Sequence, residues 1–238
     1  MFISIIIPTY DSEKNIKNNL NSIKNQSYNN YELVIIDNCS NDKTLDIIKS
    51  YRFPKIKIIS EKDHGIYDAI NKGIDAASGD VISILHSDDY YYDNNVLLNV
   101  VKNFNLEKCD LIYSDLIYVK KSNHKKILRY WKSNKFKNGK FLKGWSPPHP
   151  TFIVKRNIYN RFGKYILKYG NSADIELMYR YLQIYKINYK YINQILIVMQ
   201  YGGKSNNKLL NILDQNFQIF KILKIEKKII KIFYFIFF

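Results

Sequence analysis

The sequence is short of the residues that define several common protein classes. Cysteine occurs at only 2 of 238 positions, Cys39 and Cys109, which lie far apart and form no Cys-x-x-Cys spacing. We therefore expect neither a disulfide scaffold nor a zinc site. Glycine is also scarce, at 9 residues. No Gly-x-Gly-x-x-Gly follows the first predicted strand and no Gly-Lys-Ser/Thr loop occurs, which disfavours a dinucleotide-dependent dehydrogenase or a P-loop enzyme.

Long apolar segments are missing as well. No uninterrupted apolar run reaches the roughly 20 residues that a membrane-spanning helix requires. The N-terminus passes at once into an apolar strand, without the basic, apolar and small-residue sections of a secretory signal peptide. On these grounds we expect a cytoplasmic protein.

Acidic residues are the third shortage. The chain has 37 Lys and Arg against 21 Asp and Glu, a formal net charge of +16. Such an excess suits nucleic acid, an anionic membrane surface or an anionic small substrate as a partner. The 46% hydrophobic and 15% aromatic content fits a folded protein. The length allows one large domain, with or without an appendage.

The first half of the chain alternates between strands and helices. Short apolar runs of strand length are followed by segments with apolar residues at helical spacing. The predicted strands are 2–7, 31–36, 56–59 and 81–85, and the predicted helices are 12–25, a segment after Asp42, and 66–77 with Gly79 as its terminator. Every strand ends in a polar or acidic loop. The alternation predicts an α/β fold with a parallel, doubly wound sheet, whose strand ends form one edge.

The second half is predicted to be more mixed. We expect a helix at 94–104 and strands at 110–119, 127–131, 151–154, 189–192 and 196–200. A helix starts at Ser172 or Asp174, and its dipole and free amides should favour the ionised form of the Asp174 carboxyl. Residues 211–238 form a candidate amphipathic helix with Lys every three or four positions. A helix docked on the protein's own core and an interfacial membrane anchor both stay open for it.

Two adjacent carboxylates, Asp88 and Asp89, follow the apolar run at 81–85. A buried strand does not tolerate two ionised groups, so both should lie just past its C-terminal end, where open α/β sheets bind ligands. Carboxylate oxygens suit Mg²⁺ or Mn²⁺, which can in turn hold a diphosphate. A polar turn that caps the next helix is the alternative for these residues.

Six segments, in order, resemble the inverting nucleotide-sugar glycosyltransferases of family 2, with the fold called GT-A. Ser-Ile-Ile-Ile-Pro-Thr-Tyr at 4–10 is similar to the opening strand and nucleotide-contacting loop, and Val-Ile-Ile-Asp-Asn-Cys-Ser-Asn-Asp at 34–42 to the Val-Asp-Asp-Gly-Ser-Thr-Asp loop. Gly-Ile-Tyr-Asp-Ala-Ile-Asn-Lys-Gly at 65–73 resembles the helix that closes over the donor, and Leu-His-Ser-Asp-Asp at 85–89 the Asp-x-Asp metal motif. Pro-Pro-His-Pro-Thr at 147–151 and Ala-Asp-Ile-Glu-Leu at 173–177 resemble the acceptor-side loop and the helix that carries the catalytic base.

The resemblance implies that a sugar moves from a nucleotide-diphosphate donor, above all a UDP-sugar, to an acceptor hydroxyl with inversion. It implies Asp174 as the catalytic base, and a divalent cation, Mn²⁺ or Mg²⁺, chiefly on Asp88 with help from Asp89 or His86. The donor-binding residues carried over from the motifs are Pro8, Thr9, Tyr10, Asp37, Asp63, Gly65, Asn71, Ser87 and Asp88, and the acceptor-binding candidates are Trp145, His149 and Glu176.

A structural interpretation stays open for these residues. Asp174 at a helix start can be only a cap, and Asp37 can be a turn carboxylate satisfied by local amides. The donor candidates at 63–71 can simply form a helix N-terminus. Trp145 can fill the core, His149 can be structural, and Glu176 can face away or orient its neighbours.

Two positions depart from the family pattern. The second Asp of the base-reading loop is Asn38, which opens the choice of nucleobase, and the first carboxylate of Asp-x-Asp is His86, which predicts weaker metal binding. A donor-binding but catalytically impaired homologue is therefore one alternative. A basic nucleic-acid-binding protein is another, although no RNA- or DNA-binding signature occurs. A sugar-nucleotide nucleotidyltransferase would need a Gly-rich basic loop after the first strand, which the chain lacks.

The predicted organisation is a GT-A domain, with a Rossmann-like, mostly parallel sheet flanked by helices, at 1–210. A nucleotide-sugar-binding half at 1–115 precedes an acceptor-binding half at 116–210, and a basic amphipathic helical tail follows at 211–238. The predicted partners are a nucleotide-sugar donor, a glycan or lipid-linked glycan acceptor and an anionic membrane surface, but not nucleic acid. We expect a role in bacterial surface polysaccharide or lipid-linked oligosaccharide synthesis, peripheral at the inner face of the cell membrane.

Overall fold

A computed structural model describes residues 1–201, and the predicted tail at 211–238 lies outside the described residues. Within this range one sheet carries helices on both faces. The strands are β1 (Ile3–Thr9), β2 (Tyr31–Asp37), β3 (Ile56–Ser60), β4 (Val81–Ile84), β5 (Tyr90–Tyr91), β6 (Leu111–Lys120), β7 (Asn123–Trp131), β8 (Ile153–Lys155) and β9 (Tyr189–Tyr201). The α-helices are α1 (Ile16–Lys24), α2 (Thr44–Ser50), α3 (Ile66–Ala76), α4 (Val96–Glu107), α5 (Arg156–Phe162) and α6 (Ala173–Tyr179). Short 3-10 helices lie at Lys140–Lys143, His149–Thr151 and Leu167–Ser172, and a π-helical turn follows α6 at Arg180–Ile184.

The first four long strands form the parallel part of the sheet. They lie in the order β3-β2-β1-β4, and each neighbouring pair is parallel. The crossovers α1, α2 and α3 connect them, so the predicted alternation is confirmed. Because the four strands run in one direction, their carboxyl ends and the polar loops that follow them share one edge of the sheet.

The later strands extend this sheet beyond β4, and β3 remains the edge strand on the opposite side. β8 lies antiparallel between β4 and β6, so β6 runs in the same direction as β4. β9 lies parallel to β6, β5 pairs with β9, and β7 forms a hairpin with the second half of β6. The two strands predicted at 189–192 and 196–200 are a single strand. Its exposed residues Asn193 and Gln194 are accommodated by a break in register opposite Asp115.

The apolar core has two layers, one on each face of the sheet. Because successive side chains of a strand point to opposite faces, Ile5 packs on the side of Leu20 in α1, while Ile6 packs on the side of Ile70 in α3. The second layer also contains Leu177 of α6, and this places α6 on the same face as α3. None of the helices in residues 1–201 is long and apolar enough to cross a membrane.

Gly79 has a different role from the predicted one. Helix α3 already ends at Ala76, and Gly79 does not terminate it. A Cβ on Gly79 would lie 2.6 Å from the backbone nitrogen of Ser4. The absence of a side chain therefore lets the chain pass close to β1 on its way into β4.

Candidate active site

The loops after β1, β2 and β4 are joined by hydrogen bonds at the carboxyl edge of the sheet. Ser12 Oγ and Ser87 Oγ lie 2.8 Å apart. The Asn38 N–H donates to the Thr9 carbonyl at 2.9 Å. Pro8 is buried within β1, and Tyr10, just beyond the strand, is 46% exposed. The structure thus brings together predicted donor residues from two of the matched segments.

Asp37 lies beneath this loop cluster. Its carboxyl group is completely buried. One oxygen accepts hydrogen bonds from the hydroxyls of Thr9 and Ser40, and the other accepts from the Ser60 hydroxyl and the Ser40 N–H. These contacts match the interpretation of Asp37 as a turn carboxylate. Contact with a nucleobase stays a prediction, and it requires one of these hydrogen bonds to break.

Asp63 and Gly65 connect the next loop to the same edge. The Asp63 N–H donates to Asn38 Oδ1 at 3.0 Å, and the Gly65 N–H donates to Asp63 Oδ1 at 2.9 Å. Gly65 has a φ of 114°, a value that favours glycine, and helix α3 begins directly after it. Asn38, which replaces the second Asp of the family pattern, therefore holds the start of the helix predicted to close over the donor.

Both polar atoms of the Asn71 amide group form hydrogen bonds within the protein. Its Nδ2 donates to the Tyr165 carbonyl at 2.9 Å, and its Oδ1 accepts from the Tyr165 N–H at 3.0 Å. Both polar atoms are occupied, which supports a structural role for Asn71, and its contact with the donor stays a prediction. Asn71 fixes the backbone of Tyr165 against α3.

The two carboxyl groups after β4 lie in different environments. Asp88 is partly exposed, whereas Asp89 is 1% exposed and its Oδ2 has no hydrogen-bond partner. Burial, and secondarily the charge of Asp88, raises the pKa of the Asp89 carboxyl well above its usual value. Burial therefore disfavours the ionised form that a metal ligand needs, and the role of Asp89 as a metal ligand stays a prediction.

His86 occupies the position of the missing first carboxylate. Its Nδ1 is buried and has no partner. Burial, then the charge of His149, lowers the pKa of His86 to about 4, although Asp88 acts in the opposite direction. The imidazole is therefore neutral at pH 7 and has a nitrogen that can bind a cation.

The residues at the end of β4 could hold a divalent cation only together with a bound diphosphate. Across residues 1–201 no cluster of three or more His, Cys, Asp or Glu side chains could surround a metal ion. The protein supplies the partly exposed carboxylate of Asp88 and the unpartnered nitrogen of His86. Oxygens of a bound diphosphate would have to complete the coordination, since Mg²⁺ is usually held by one or two carboxylates together with substrate phosphates.

Asp174 lies in the first turn of α6. The Ile175 N–H donates to Asp174 Oδ1 at 2.8 Å, and the Tyr67 hydroxyl also donates to the carboxyl group. Burial nevertheless raises the pKa of Asp174 to about 6, and these hydrogen bonds only oppose the effect. The prediction that the helix start favours the ionised form is therefore wrong in direction, because desolvation outweighs the dipole and the amides.

A chain of side chains connects Asp174 with the end of β4. The Tyr67 ring lies 6.1 Å from the His149 ring, and the His149 ring lies 5.9 Å from that of His86. His149 is buried, its Nε2 lies 2.8 Å from the Tyr165 hydroxyl, and burial lowers its pKa to about 4. The predicted base and the predicted metal carboxylate thus belong to one region. Tyr67 was not among the predicted site residues, although it lies in the matched segment 65–73. The sequence around Tyr165 contains no motif that would indicate a site residue.

Two acceptor candidates are held by neighbouring side chains. Glu176 is 1% exposed, and its two oxygens accept from Arg180 Nε at 2.7 Å and Nη2 at 2.9 Å. This supports the alternative in which Glu176 orients its neighbours, and its contact with the acceptor stays a prediction. Trp145 is only partly buried, within an aromatic cluster that includes Tyr113 and Phe136 at centroid distances of 6.2 and 5.8 Å.

Comparison with known proteins agrees with this geometry. The sequence profile of the family described as Glycosyl transferase family 2 matches residues 4–164. A PGL/p-HBAD biosynthesis glycosyltransferase of Mycobacterium tuberculosis is 29% identical over 208 residues, which cover 85% of this chain and 78% of the relative. A Methanococcus voltae relative, named dolichyl N-acetyl-alpha-D-glucosaminyl phosphate 3-beta-D-2,3-diacetamido-2,3-dideoxy-beta-D-glucuronosyltransferase, is 43% identical over 106 residues, 40% of this chain and 33% of that protein.

Solved structures show the same fold. S. aureus TarS 1-349 in complex with UDP-GlcNAc superposes with a TM-score of 0.71 at 20% identity, covering 92% of this chain and 69% of that one. The mannosyltransferase PcManGT from Pyrobaculum calidifontis, in complex with GDP-Man and Mn²⁺, gives a TM-score of 0.62 at 19% identity, covering 86% and 58%. In a further TarS structure the chain spans 37% of the solved length. The predicted GT-A fold is confirmed.

Proposed function

Because the profile covers most of its length, the chain belongs to glycosyl transferase family 2, and we propose that it moves a sugar from a nucleotide-diphosphate donor, foremost a UDP-sugar, to an acceptor hydroxyl with inversion. The observation that carries the proposal is the Asp174 carboxyl group, partly exposed, with a pKa raised to about 6, in contact with Tyr67. A perturbed carboxyl group beside a ligand-binding sheet edge is typical of a general base.

The role of Asp174 follows from the needs of the attack. A neutral hydroxyl is a poor nucleophile, and it needs a proton acceptor as the new bond to the anomeric carbon forms. At pH 7 a carboxyl group of pKa about 6 is mostly ionised, and it is more basic than an ordinary aspartate. The Tyr67 hydroxyl and the Ile175 N–H orient it. Inversion requires the hydroxyl to attack from the face opposite the departing diphosphate.

The leaving group is assigned to the end of β4. Asp88 and His86 would hold Mn²⁺ or Mg²⁺ jointly with the diphosphate, and such an ion, when bound, neutralises the charge that develops on the departing nucleoside diphosphate. The PcManGT structure, a complex with GDP-Man and Mn²⁺, supports a divalent cation. We place the nucleoside against Pro8, Thr9 and Tyr10.

The acceptor is assigned to the side of the site formed by His149 and Trp145. The Methanococcus voltae relative is named for an acceptor that is a dolichyl-linked sugar phosphate, and this supports a lipid-linked glycan as the acceptor of this chain. We propose that the protein works in surface polysaccharide or lipid-linked oligosaccharide synthesis, peripheral at the inner face of the membrane. The domain limits at 1–210, with halves at 1–115 and 116–210, stay part of this proposal.

A thermal melt of the full chain with UDP, GDP and their sugars, with and without Mn²⁺, tests the proposal. At a ligand concentration 100-fold above Kd, binding stabilises by about 2.7 kcal/mol, or roughly 5–10 °C in Tm for a domain of this size. Asp88→Asn should remove the metal-dependent part of this shift. Asp46→Asn, which neutralises an exposed carboxylate on α2, should leave it intact.

Turnover separates the proposal from its alternative. Incubation with the stabilising donor and Mn²⁺ should release nucleoside diphosphate, and NMR of the glycoside should show the inverted anomer. Donor binding without any turnover would instead identify a catalytically impaired homologue. No stabilisation by any nucleotide would refute the proposed function.

A further inference from the structure

The positive charge of the chain is concentrated in one stretch. From residue 116 to residue 173 there are 15 Lys and Arg and no Asp or Glu, while the whole chain has a formal charge of +16. The stretch begins after Asp115 and ends before Asp174. Its first part is the hairpin of β6 and β7, and we call residues 120–130 the basic hairpin.

The basic hairpin projects from the body of the protein. Every residue from Lys120 to Tyr130 is exposed. Among the strands in residues 1–201, β7 pairs with β6 alone. The hairpin carries Lys120, Lys121, Lys125, Lys126 and Arg129.

Large apolar side chains lie between these charges. Ile127 is 57% exposed, Leu128 42% and Tyr130 47%. Lysine on an edge strand is a known guard against edge-to-edge pairing, and that would explain the charges. It does not explain why the aliphatic side chains of Ile127 and Leu128 are left in water on the same strand, whereas Tyr130 is held by its hydroxyl, which donates to Asp115 Oδ2 at 2.9 Å. Basic residues interleaved with exposed apolar ones are typical of a surface that lies in a membrane interface.

The hairpin lies at the edge of the sheet that carries the candidate active site. β6 runs in the same direction as β4, and through β8 the residue Leu111 is level with Ile82. β4 ends two residues after Ile82, but β6 continues to Lys120, about 20 Å further at the usual rise per residue. The exposed Tyr201 at the end of β9 pairs with Lys120. The tip therefore extends beyond the strand ends at which Asp88 lies.

We propose that the basic hairpin is the surface by which this protein docks on an anionic lipid bilayer, with the active-site edge turned towards the membrane. The proposal rests on the proposed function, because a lipid-linked acceptor must be reached at a bilayer surface. Anionic headgroups complement a charged segment that contains no acid, and each Lys or Arg near such a surface contributes to binding. The apolar side chains of Ile127 and Leu128 would enter the boundary between headgroups and acyl chains.

Two other occupants fit less well. Pairing with a second copy along β7 would place two basic hairpins side by side, and like charges directly opposite each other across strands are destabilising. Single-stranded nucleic acid is bound by aromatic stacking platforms in basic grooves, whereas this strand presents aliphatic side chains on an open edge.

Co-sedimentation of the full chain with vesicles tests the proposal. The probes are vesicles of phosphatidylcholine with 30% phosphatidylglycerol and vesicles of phosphatidylcholine alone. The variant K121Q/K125Q/K126Q removes three charges of the hairpin and leaves Arg129 packed over Tyr118 and Trp131. Its matched control, K17Q/K24Q/K49Q, removes three exposed charges from α1 and α2.

The hairpin variant should bind anionic vesicles about 100-fold more weakly than the unmodified chain, since each lost charge weakens binding about fivefold. The control should bind within about threefold of the unmodified chain. I127S/L128S, with all charges kept, should weaken binding by about tenfold or more. Stabilisation by the nucleotide donor should be unchanged in every variant, so this result is independent of the test of the proposed function.

Three results would overturn the proposal. One is anionic-vesicle binding by the hairpin variant within threefold of the unmodified chain. Another is equal loss in the control variant, which would mean that net charge alone decides. The third is a hairpin variant that loses affinity for single-stranded DNA or changes its oligomeric mass while it keeps vesicle binding.

Discussion

Replacing Asp174 with Asn tests the base assignment through stability as well as activity. The pKa of the Asp174 carboxyl is about 6 in the folded protein, against about 3.9 for an ordinary aspartate. A difference of this size corresponds to about 3 kcal/mol of interaction free energy. Because the side chain is still partly exposed, solvent screening reduces this, and we expect about 2 kcal/mol.

The sign of the effect follows from linkage. A carboxyl group whose pKa is raised on folding contributes stability that is fully present below pH 4 and is lost as the pH rises through about 6. Asn cannot ionise, and it keeps an oxygen that accepts the hydrogen bond of Tyr67. Asp174→Asn should therefore raise the free energy of unfolding by about 2 kcal/mol at pH 8, and leave it unchanged at pH 4.

Activity should change in the opposite direction. Loss of a general base lowers kcat by about 10²- to 10⁴-fold. In the unmodified enzyme, kcat/KM should rise with pH to a plateau, with a midpoint near 6. Urea unfolding at both pH values and a pH–rate profile measure these quantities, and Asp46→Asn serves as the control. A variant that keeps turnover within tenfold, or that is less stable at pH 8, would refute the assignment.

Three further substitutions have defined outcomes. Tyr67→Phe removes a hydrogen bond that lowers the pKa of Asp174, so the midpoint of the pH–rate profile should move up by about 0.5–1 unit. Asp89→Asn keeps the size of the buried side chain and removes a carboxyl group whose pKa burial already raises, so the free energy of unfolding at pH 7 should change by less than about 1 kcal/mol, and metal-dependent donor binding should persist in a titration with Mn²⁺. Gly79→Ala places a Cβ 2.6 Å from the Ser4 nitrogen, so chemical denaturation should show a loss of about 2–3 kcal/mol.

The parallel half of the fold was predictable because its signals are local. Apolar runs of strand length alternate with helical spacing, and each run ends in polar residues. α5 was not predicted because it has only 7 residues. The burial of its side chains Ile158 and Tyr159 depends on tertiary packing and leaves no clear helical pattern in so short a segment. The position of Asp88 at a strand end was likewise readable from the sequence, since burial of two charges within the strand was excluded.

The environments of the site residues could not be read in the same way. Burial desolvates Asp174, and its hydrogen-bond partner Tyr67 is distant in sequence. Asn71 makes both of its hydrogen bonds with a residue 94 positions away, and Asp37 accepts from Thr9, 28 positions before it. A motif places a side chain at the edge of the sheet, but long-range partners decide whether its polar atoms are open to a ligand.

Metal and donor should bind together at the end of β4. Burial lowers the pKa of His86 to about 4, so its imidazole is neutral at pH 7, and burial raises the pKa of the Asp89 carboxyl well above its usual value. Asp88 is the partly exposed carboxyl group of the pair, so the protein offers a cation few ligands and Mn²⁺ alone should bind weakly. Donor diphosphate adds charged oxygens at the same place, so it should raise the affinity for Mn²⁺, and Mn²⁺ should raise the affinity for the donor by the same factor. Calorimetric titrations in both orders should give equal factors of about 5- to 150-fold, the usual range for coupled sites. Tight binding of Mn²⁺ without nucleotide would refute this dependence of the metal on the donor.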